Sequence, residues 1–191
     1  MKLIWTGSDV LYATRFPKQL PKRKWIYCLG MKIFAKIADK FVQNHIVVSE
    51  HLIKELKPLK LKKSFEVRET PIDIIKIDKI KVKRLSINKS ARSKTIIYYL
   101  PAKGNRDFNK WLYGYDIVCK LQIRFKDHYF HALTGKSNME LVYPYVDAYI
   151  RPNRHDGNPR VVRECQYLGI PVMATKENPR LEEFTKFIEQ L

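Results

Sequence analysis

Two carboxylates, Asp156 and Glu164, stand eight positions apart around Gly157-Asn158-Pro159-Arg160, and Gly169-Ile170-Pro171-Val172 follows them. Glycine at 157 lets the backbone approach a ligand with no Cβ between them. Proline at 159 suits the first position of a helix, where its missing N–H removes no bond. The free N–H groups of that helix start, together with the helix dipole, favour a phosphate. Glu164 then falls about a turn into the helix, where a carboxylate can accept two hydrogen bonds from adjacent hydroxyls such as a ribose offers. His155 and Arg160 border the same segment as candidate ligand contacts, and Lys103, Gly104, Arg106 and Lys110 form a second basic loop and helix start upstream. Other reactive arrangements are missing. The chain has no H-E-x-x-H, no G-x-S-x-G and no Walker loop.

These residues need a scaffold that delivers loops to one edge. Thr95–Leu100 is β-branched and aromatic, the strongest strand in the chain, and runs into the loop 101–106 and a helix from about Asp107. His128–Leu133 and Ala148–Arg151 read as strands, with His128 and His131 on opposite faces. Met139–Val146 reads as a helix between those strands. Arg160–Leu168 reads as a helix closed by Gly169, with Val161, Cys165 and Leu168 buried. Pro171–Ala174 is a further strand, and an amphipathic helix follows Pro179. Strands alternating with helices at these intervals imply an α/β fold with a doubly wound, Rossmann-like parallel sheet, which binds ligands beyond the carboxyl ends of its strands.

The first part of the chain is shorter in its elements. Lys2–Trp5 is a strand ending in the turn-prone Thr6-Gly7-Ser8-Asp9, and residues 15–24 form a basic loop broken by Pro17 and Pro21. From Lys24 to about Gln43, Ile26, Leu29, Ile33, Ile37 and Phe41 recur at helical spacing. Lys32, Lys36 and Lys40 lie on another stripe, which reads as a solvated face. Ile46–Val48 is a short strand, Ser49 caps a helix to about Leu56, and Phe65–Val67 is a strand before the turn Thr70–Asp73. Residues 74–94, rich in lysine and isoleucine, have no clear assignment.

Composition narrows the setting. The 191 residues carry a formal net charge of +18, which asks for a polyanion, an anionic membrane or an anionic small ligand. Residues 1–63 hold 14 Lys and Arg against 4 Asp and Glu, and the rest hold 23 against 15, so positive charge is densest early. No run reaches the roughly 18–20 apolar residues of a membrane span, and the opening segment is a poor secretory signal. Three scattered cysteines without a C-x-x-C pair fit a reducing compartment, so a cytoplasmic location is expected.

The phrase Asp156-Gly157-Asn158-Pro159…Glu164…Gly169-Ile170-Pro171-Val172 resembles the signature of retaining glycosyltransferases of the GT-B fold, family 4 type. Those proteins carry an acidic residue, seven others and a Glu. Here Asp156 stands where Glu is usual, which shortens the reach of that carboxylate. Upstream, Ile46-Val47-Val48-Ser49, Thr70-Pro71-Ile72-Asp73 and Trp5-Thr6-Gly7-Ser8-Asp9-Val10 are similar to further family segments, so the likeness spans nearly the whole chain. The resemblance implies a partial N-terminal, acceptor-side α/β segment over residues 1–65 and a C-terminal nucleotide-sugar-binding domain over 66–191. Family members are about twice as long, which marks this as a short form.

Carried over, the resemblance implies that Glu164 binds the donor ribose. It implies that Asp156 with the Gly157–Pro159 backbone faces the sugar and diphosphate. Lys103, Arg106 or Lys110 would neutralise the departing diphosphate, with Lys103-Gly104 most like the family's K-G pair. The expected activity is retaining and metal-independent transfer from a nucleoside diphosphate sugar, a co-substrate rather than a cofactor, to an acceptor. No D-x-D metal motif is present. With a short N-terminal part, the chain would pair with a second transferase subunit or a second copy, work with a minimal acceptor platform, or have lost catalysis. The rival expectations are a basic nucleic-acid-binding protein, although no nucleic-acid-binding signature occurs, and a non-catalytic protein docking on anionic membrane through Trp25 and Lys22-Arg23-Lys24.

Overall fold

The computed structural model describes residues 2–14, 25–87, 93–101, 106–156, 159–175 and 177–191, with the backbone alone at residues 7, 8 and 106. The chain divides into two compact units: Met1–Thr70 with His155–Asn158, and Pro71–Arg154 with Pro159–Leu191. Both are α/β, and every strand pairing among the described residues is parallel. No helix among them is long and apolar enough to cross a membrane.

In the first unit, β1 (Leu3–Trp5), β2 (His45–Val47) and β3 (Phe65–Val67) form a sheet in the order β1-β2-β3. Helices α1 (Gly7–Thr14), α2 (Trp25–Ala38) and α3 (Glu50–Leu56) accompany it. The expected turn at residues 6–9 is instead the start of α1. The amide and hydroxyl of Thr6 both donate to Asp9 Oδ2, at 3.2 and 2.6 Å, which ties the helix start shut. Trp5, Val10, Ala13, Ala35, Val47, Leu52, Leu56 and Leu59 make the core.

A buried polar chain crosses this core. The Trp5 indole N–H donates to His45 Nδ1 at 3.1 Å. An indole nitrogen can only donate, so the ring proton of His45 sits on Nε2. From there it is donated to Asp39 Oδ1 at 2.9 Å, while the amides of Lys62 and Lys63 donate to the same carboxylate at 2.8 and 3.0 Å. His45 is fully buried, yet both its nitrogens are satisfied. One histidine thus joins β1, β2, the end of α2 and the approach to β3.

Helix α2 differs from its sequence reading in length and in direction. It ends at Ala38 rather than near Gln43, and the residues it buries are Cys28, Ala35 and Ala38. The stripe Ile26, Leu29, Ile33, Ile37 points outward, and Phe41 beyond the helix is exposed too. Small side chains let the helix sit close to its neighbours, so the larger ones occupy the other side.

The second unit contains α4 (Ile74–Leu85), β4 (Thr95–Tyr99), α5 (Arg106–Leu112), α6 (Tyr115–Arg124) and β5 (Tyr129–Leu133). It continues with α7 (Met139–Val142), a 3-10 turn Tyr143–Tyr145, β6 (Ala148–Pro152), α8 (Arg160–Tyr167), β7 (Val172–Thr175) and α9 (Leu181–Glu189). The strand order is β5-β4-β6-β7. Ile97 of β4 lies opposite His131 and Tyr149. Alternation along the strands sends Ile97, Leu133 and Tyr149 to one face, against Ile77, Ile80, Tyr143, Cys165 and Leu168. Ile96, Tyr98 and Ile150 go to the other, against Ile117, Leu121, Phe184 and Ile188. Helices therefore cover both faces, which is why β4 and β6 read as continuous apolar runs.

Several local expectations change. The unassigned stretch after residue 73 is largely α4. Asp73 caps it by accepting from the Lys76 amide at 3.1 Å, and only Ile77 and Ile80 are buried among its lysines. The single helix expected after residue 107 is two helices, split at Gly114. That residue has φ +62°, and a Cβ there would lie 2.0 Å from the Pro152 carbonyl oxygen. His128 precedes β5 instead of lying in it.

Two outcomes follow. Burial pushes the Asp39 carboxyl up, but the Lys62 and Lys63 amides and the His45 ring N–H outweigh it and hold its pKa below the ordinary 3.8. Stability from this group is complete above that value and lost as pH falls through the lower folded one. Urea unfolding across acidic pH should show that slope, and Asp39→Asn should be less stable at neutral pH with a shallower acid slope. Gly114→Ala should cost about 2–4 kcal/mol by the same measurement, from left-handed strain plus displacement of Pro152.

Candidate functional site

Glu164 occupies the second turn of α8 and is buried. A buried carboxylate needs partners, and it has two. Oε2 accepts from the Tyr143 hydroxyl at 2.6 Å, and Oε1 lies 3.1 Å from Arg160 Nε. The partners are unequal. Tyr143 is 1% exposed. Its pKa is raised by burial first, then by Cys165 and by the bond to Glu164, so the hydroxyl keeps its proton and stays a donor. The Arg160 side chain is 60% exposed and can swing away. An ionised carboxylate offers about four acceptor sites, so Tyr143 leaves most of them for other donors.

The open side of Glu164 faces a cleft of about 310 Å³ lined by Asp73, Lys76, Ile77, Ile80, Ser137, Asn138, Met139, Tyr143, Arg160 and Glu164. Ser137–Met139 follow β5 and Arg160 opens the helix after β6, so the cleft lies at the carboxyl edge of the sheet. β4 separates those two strands in the order β5-β4-β6-β7. The connections leaving β4 and β6 run in opposite directions, to β5 and to β7, so the strand order reverses between them. Ile77, Ile80 and Met139 give an apolar wall, Ser137 and Asn138 neutral polar groups, Lys76 and Arg160 positive charge. The volume falls within the roughly 300–1,000 Å³ usual for ligand pockets.

Sequence reading found Glu164 and Arg160 but missed Asp73, Lys76, Ser137, Asn138 and Tyr143. Asn138 could have been read as the cap of α7, since its side chain accepts from the Glu140 amide at 3.1 Å. Asp73 lay in the turn already noted. Tyr143 carried no local signal. Pro159 is the cap residue of α8, one position before the first helical place expected for it, and Arg160 takes that place. Val161, Cys165 and Leu168 pack against the core as their spacing implied.

None of the other described candidates is among the residues that line the cleft. Asp156 and His155 belong to the first unit, Glu164 to the second. His51 Nε2 donates to the Asp156 carbonyl at 2.6 Å, so the Ser49 hydroxyl, 2.8 Å from Nδ1, donates to that ring instead of capping α3. His155 pairs with Glu55 Oε2 at 2.7 Å. Both residues of this segment are buried. Lys110 is exposed on α5, with its ammonium 5.7 Å from the centre of the Tyr115 ring. Lys103, Gly104, Gly157 and Asn158, and the side chain of Arg106, fall outside the described residues. Among those described, no group of three or more His, Cys, Asp or Glu could hold a metal ion.

The chain matches no model of a known protein family, and no curated protein matches it.

The unequal partnership at Glu164 is measurable. Tyr143→Phe removes the buried donor but not the carboxylate, and should lower stability by about 1–3 kcal/mol in chemical denaturation. Arg160→Ala, which removes a partner standing in solvent, should change it by less than about 1 kcal/mol.

Proposed function

We infer that the second unit binds a nucleoside diphosphate sugar and that the chain acts as a glycosyltransferase of GT-B type, or as the donor-binding subunit of one. The observation that carries this reading is the Glu164 carboxylate, fixed by Tyr143 and open to a cleft at the carboxyl edge where the strand order reverses. A ribose offers two adjacent hydroxyls to the free acceptor sites of such a carboxylate. A base fits against Ile77, Ile80 and Met139, with Ser137 and Asn138 for its polar edge.

Arg160 favours an anionic group next to the sugar. As the first residue of α8 it places a cation at the positive end of the helix dipole, an unfavourable position without an anion nearby. Its pair with Glu164 also has the weaker order for helical neighbours, with the base N-terminal to the acid. A diphosphate arriving there relieves both and frees Glu164 for the ribose. The α/β class with parallel sheets and the Asp156-to-Glu164 phrase agree with this assignment. Transfer would leave the departing diphosphate with added negative charge, which Arg160 and one of Lys103, Arg106 or Lys110 would offset.

The test is titration calorimetry against a panel of nucleoside diphosphates and their sugars. Glu164→Gln keeps an acceptor for Tyr143 and so preserves the fold. It should weaken binding by about tenfold or more, the loss expected when a charged hydrogen bond becomes neutral. Arg160→Ala should weaken nucleoside diphosphates and leave the bare nucleosides nearly unchanged. Equal affinity in Glu164→Gln and the parent chain would end the reading.

A further inference from the structure

Helix α2 turns large apolar side chains to solvent: Ile26 is 78% exposed, Leu29 52%, Ile33 51% and Ile37 52%. At about 3.6 residues per turn these four share one stripe, opposite the buried Cys28 and Ala35. Trp25 stands exposed at the start of the helix and Phe41 just beyond its end. An exposed row of lysines, Lys32, Lys36 and Lys40, runs along one flank of the stripe at four-residue spacing. In sequence the helix is preceded by Lys22-Arg23-Lys24. Folded chains seldom leave a contiguous apolar face of this kind in water without a partner for it.

We propose that α2 docks on an anionic lipid bilayer, lying in the plane of the surface. Its Ile26–Leu29–Ile33–Ile37 face enters the boundary between headgroups and acyl chains, and its lysines engage the headgroups. The arrangement suits that occupant in both respects, because a bilayer supplies apolar depth directly beneath negative charge. A nucleic acid would neutralise the lysines and leave the isoleucines wet. A second copy of the chain would cover the isoleucines but bring a lysine row and a net charge of +18 against their like. Trp25 at one end of the stripe has the amphipathic ring that settles at such an interface. The proposal uses no residue of the cleft, since α2 belongs to the first unit and every residue lining the cleft to the second.

Sedimentation of the full chain with phosphatidylcholine vesicles, with and without phosphatidylglycerol, tests this. The parent chain should pellet with the phosphatidylglycerol vesicles and release as salt rises. Ile33→Ser with Ile37→Ser should lower the partition at least about tenfold. Lys32→Glu, Lys36→Glu and Lys40→Glu together should lower it on the order of a hundredfold. All five side chains are exposed, so thermal unfolding should match the parent and nucleotide affinity should be unchanged. Equal recovery with the two vesicle types, or the serine pair binding like the parent, overturns the proposal. So does a parent dimer that the serine pair converts to monomer while vesicles go unbound. Binding to duplex DNA in place of vesicles, lost in the glutamate variant and kept in the serine pair, overturns it equally.

Discussion

β4 lies between two strands reached by crossovers in opposite directions. In a parallel sheet all carboxyl ends share one edge, so the segments leaving β4 toward β5 and β6 toward β7 diverge, and a gap opens between the ends of those two strands. The cleft depends on that gap. The turn carrying Ser137 and Asn138 comes from one side of it, and α8 with Arg160 and Glu164 from the other. Had the strands run in simple sequence order, the crossovers would have stacked in one direction and Glu164 would have met packed side chains.

The cost of placing a carboxylate in that gap shapes the neighbouring elements. Glu164 is buried, and an unpaired charge there would be far more expensive than the second unit could tolerate. Tyr143 meets that demand from a 3-10 turn whose end is held by Arg84, which donates to the carbonyls of Tyr143 and Val146. Tyr143 thus serves the core with its ring and the cleft with its hydroxyl. Arg160 completes the pairing from solvent, where little energy holds it. One fixed partner and one displaceable partner hold the carboxylate in the cleft wall and leave acceptor sites of it open.

In the first unit the same economy of buried polarity takes a purely structural form. Trp5, His45 and Asp39 satisfy one another in sequence, and the donor-only indole settles which histidine nitrogen carries the proton. With the core of that unit closed by small residues on α2, the helix keeps its isoleucines outside. An apolar stripe at helical spacing usually faces inward. Here the inward face is Cys28, Ala35 and Ala38, because close approach to α1 needs little volume.

Periodicity and punctuation in the sequence were enough for the α/β class, for most strands and for the helix that carries Glu164. Thr95–Tyr99 is β-branched and aromatic, Gly169 at φ +65° follows the end of α8, and Val161, Cys165 and Leu168 recur at helical spacing. Such signals are local, and local chemistry produces them. α4 was hidden because two buried isoleucines among lysines barely register, and the break at Gly114 depends on Pro152, a neighbour 38 positions away. The partner of Glu164, the outward turn of α2 and the lining of the cleft were decided only by tertiary packing. Each depends on which segments meet in space, and residue type along a chain does not encode that meeting until strand order and burial are known.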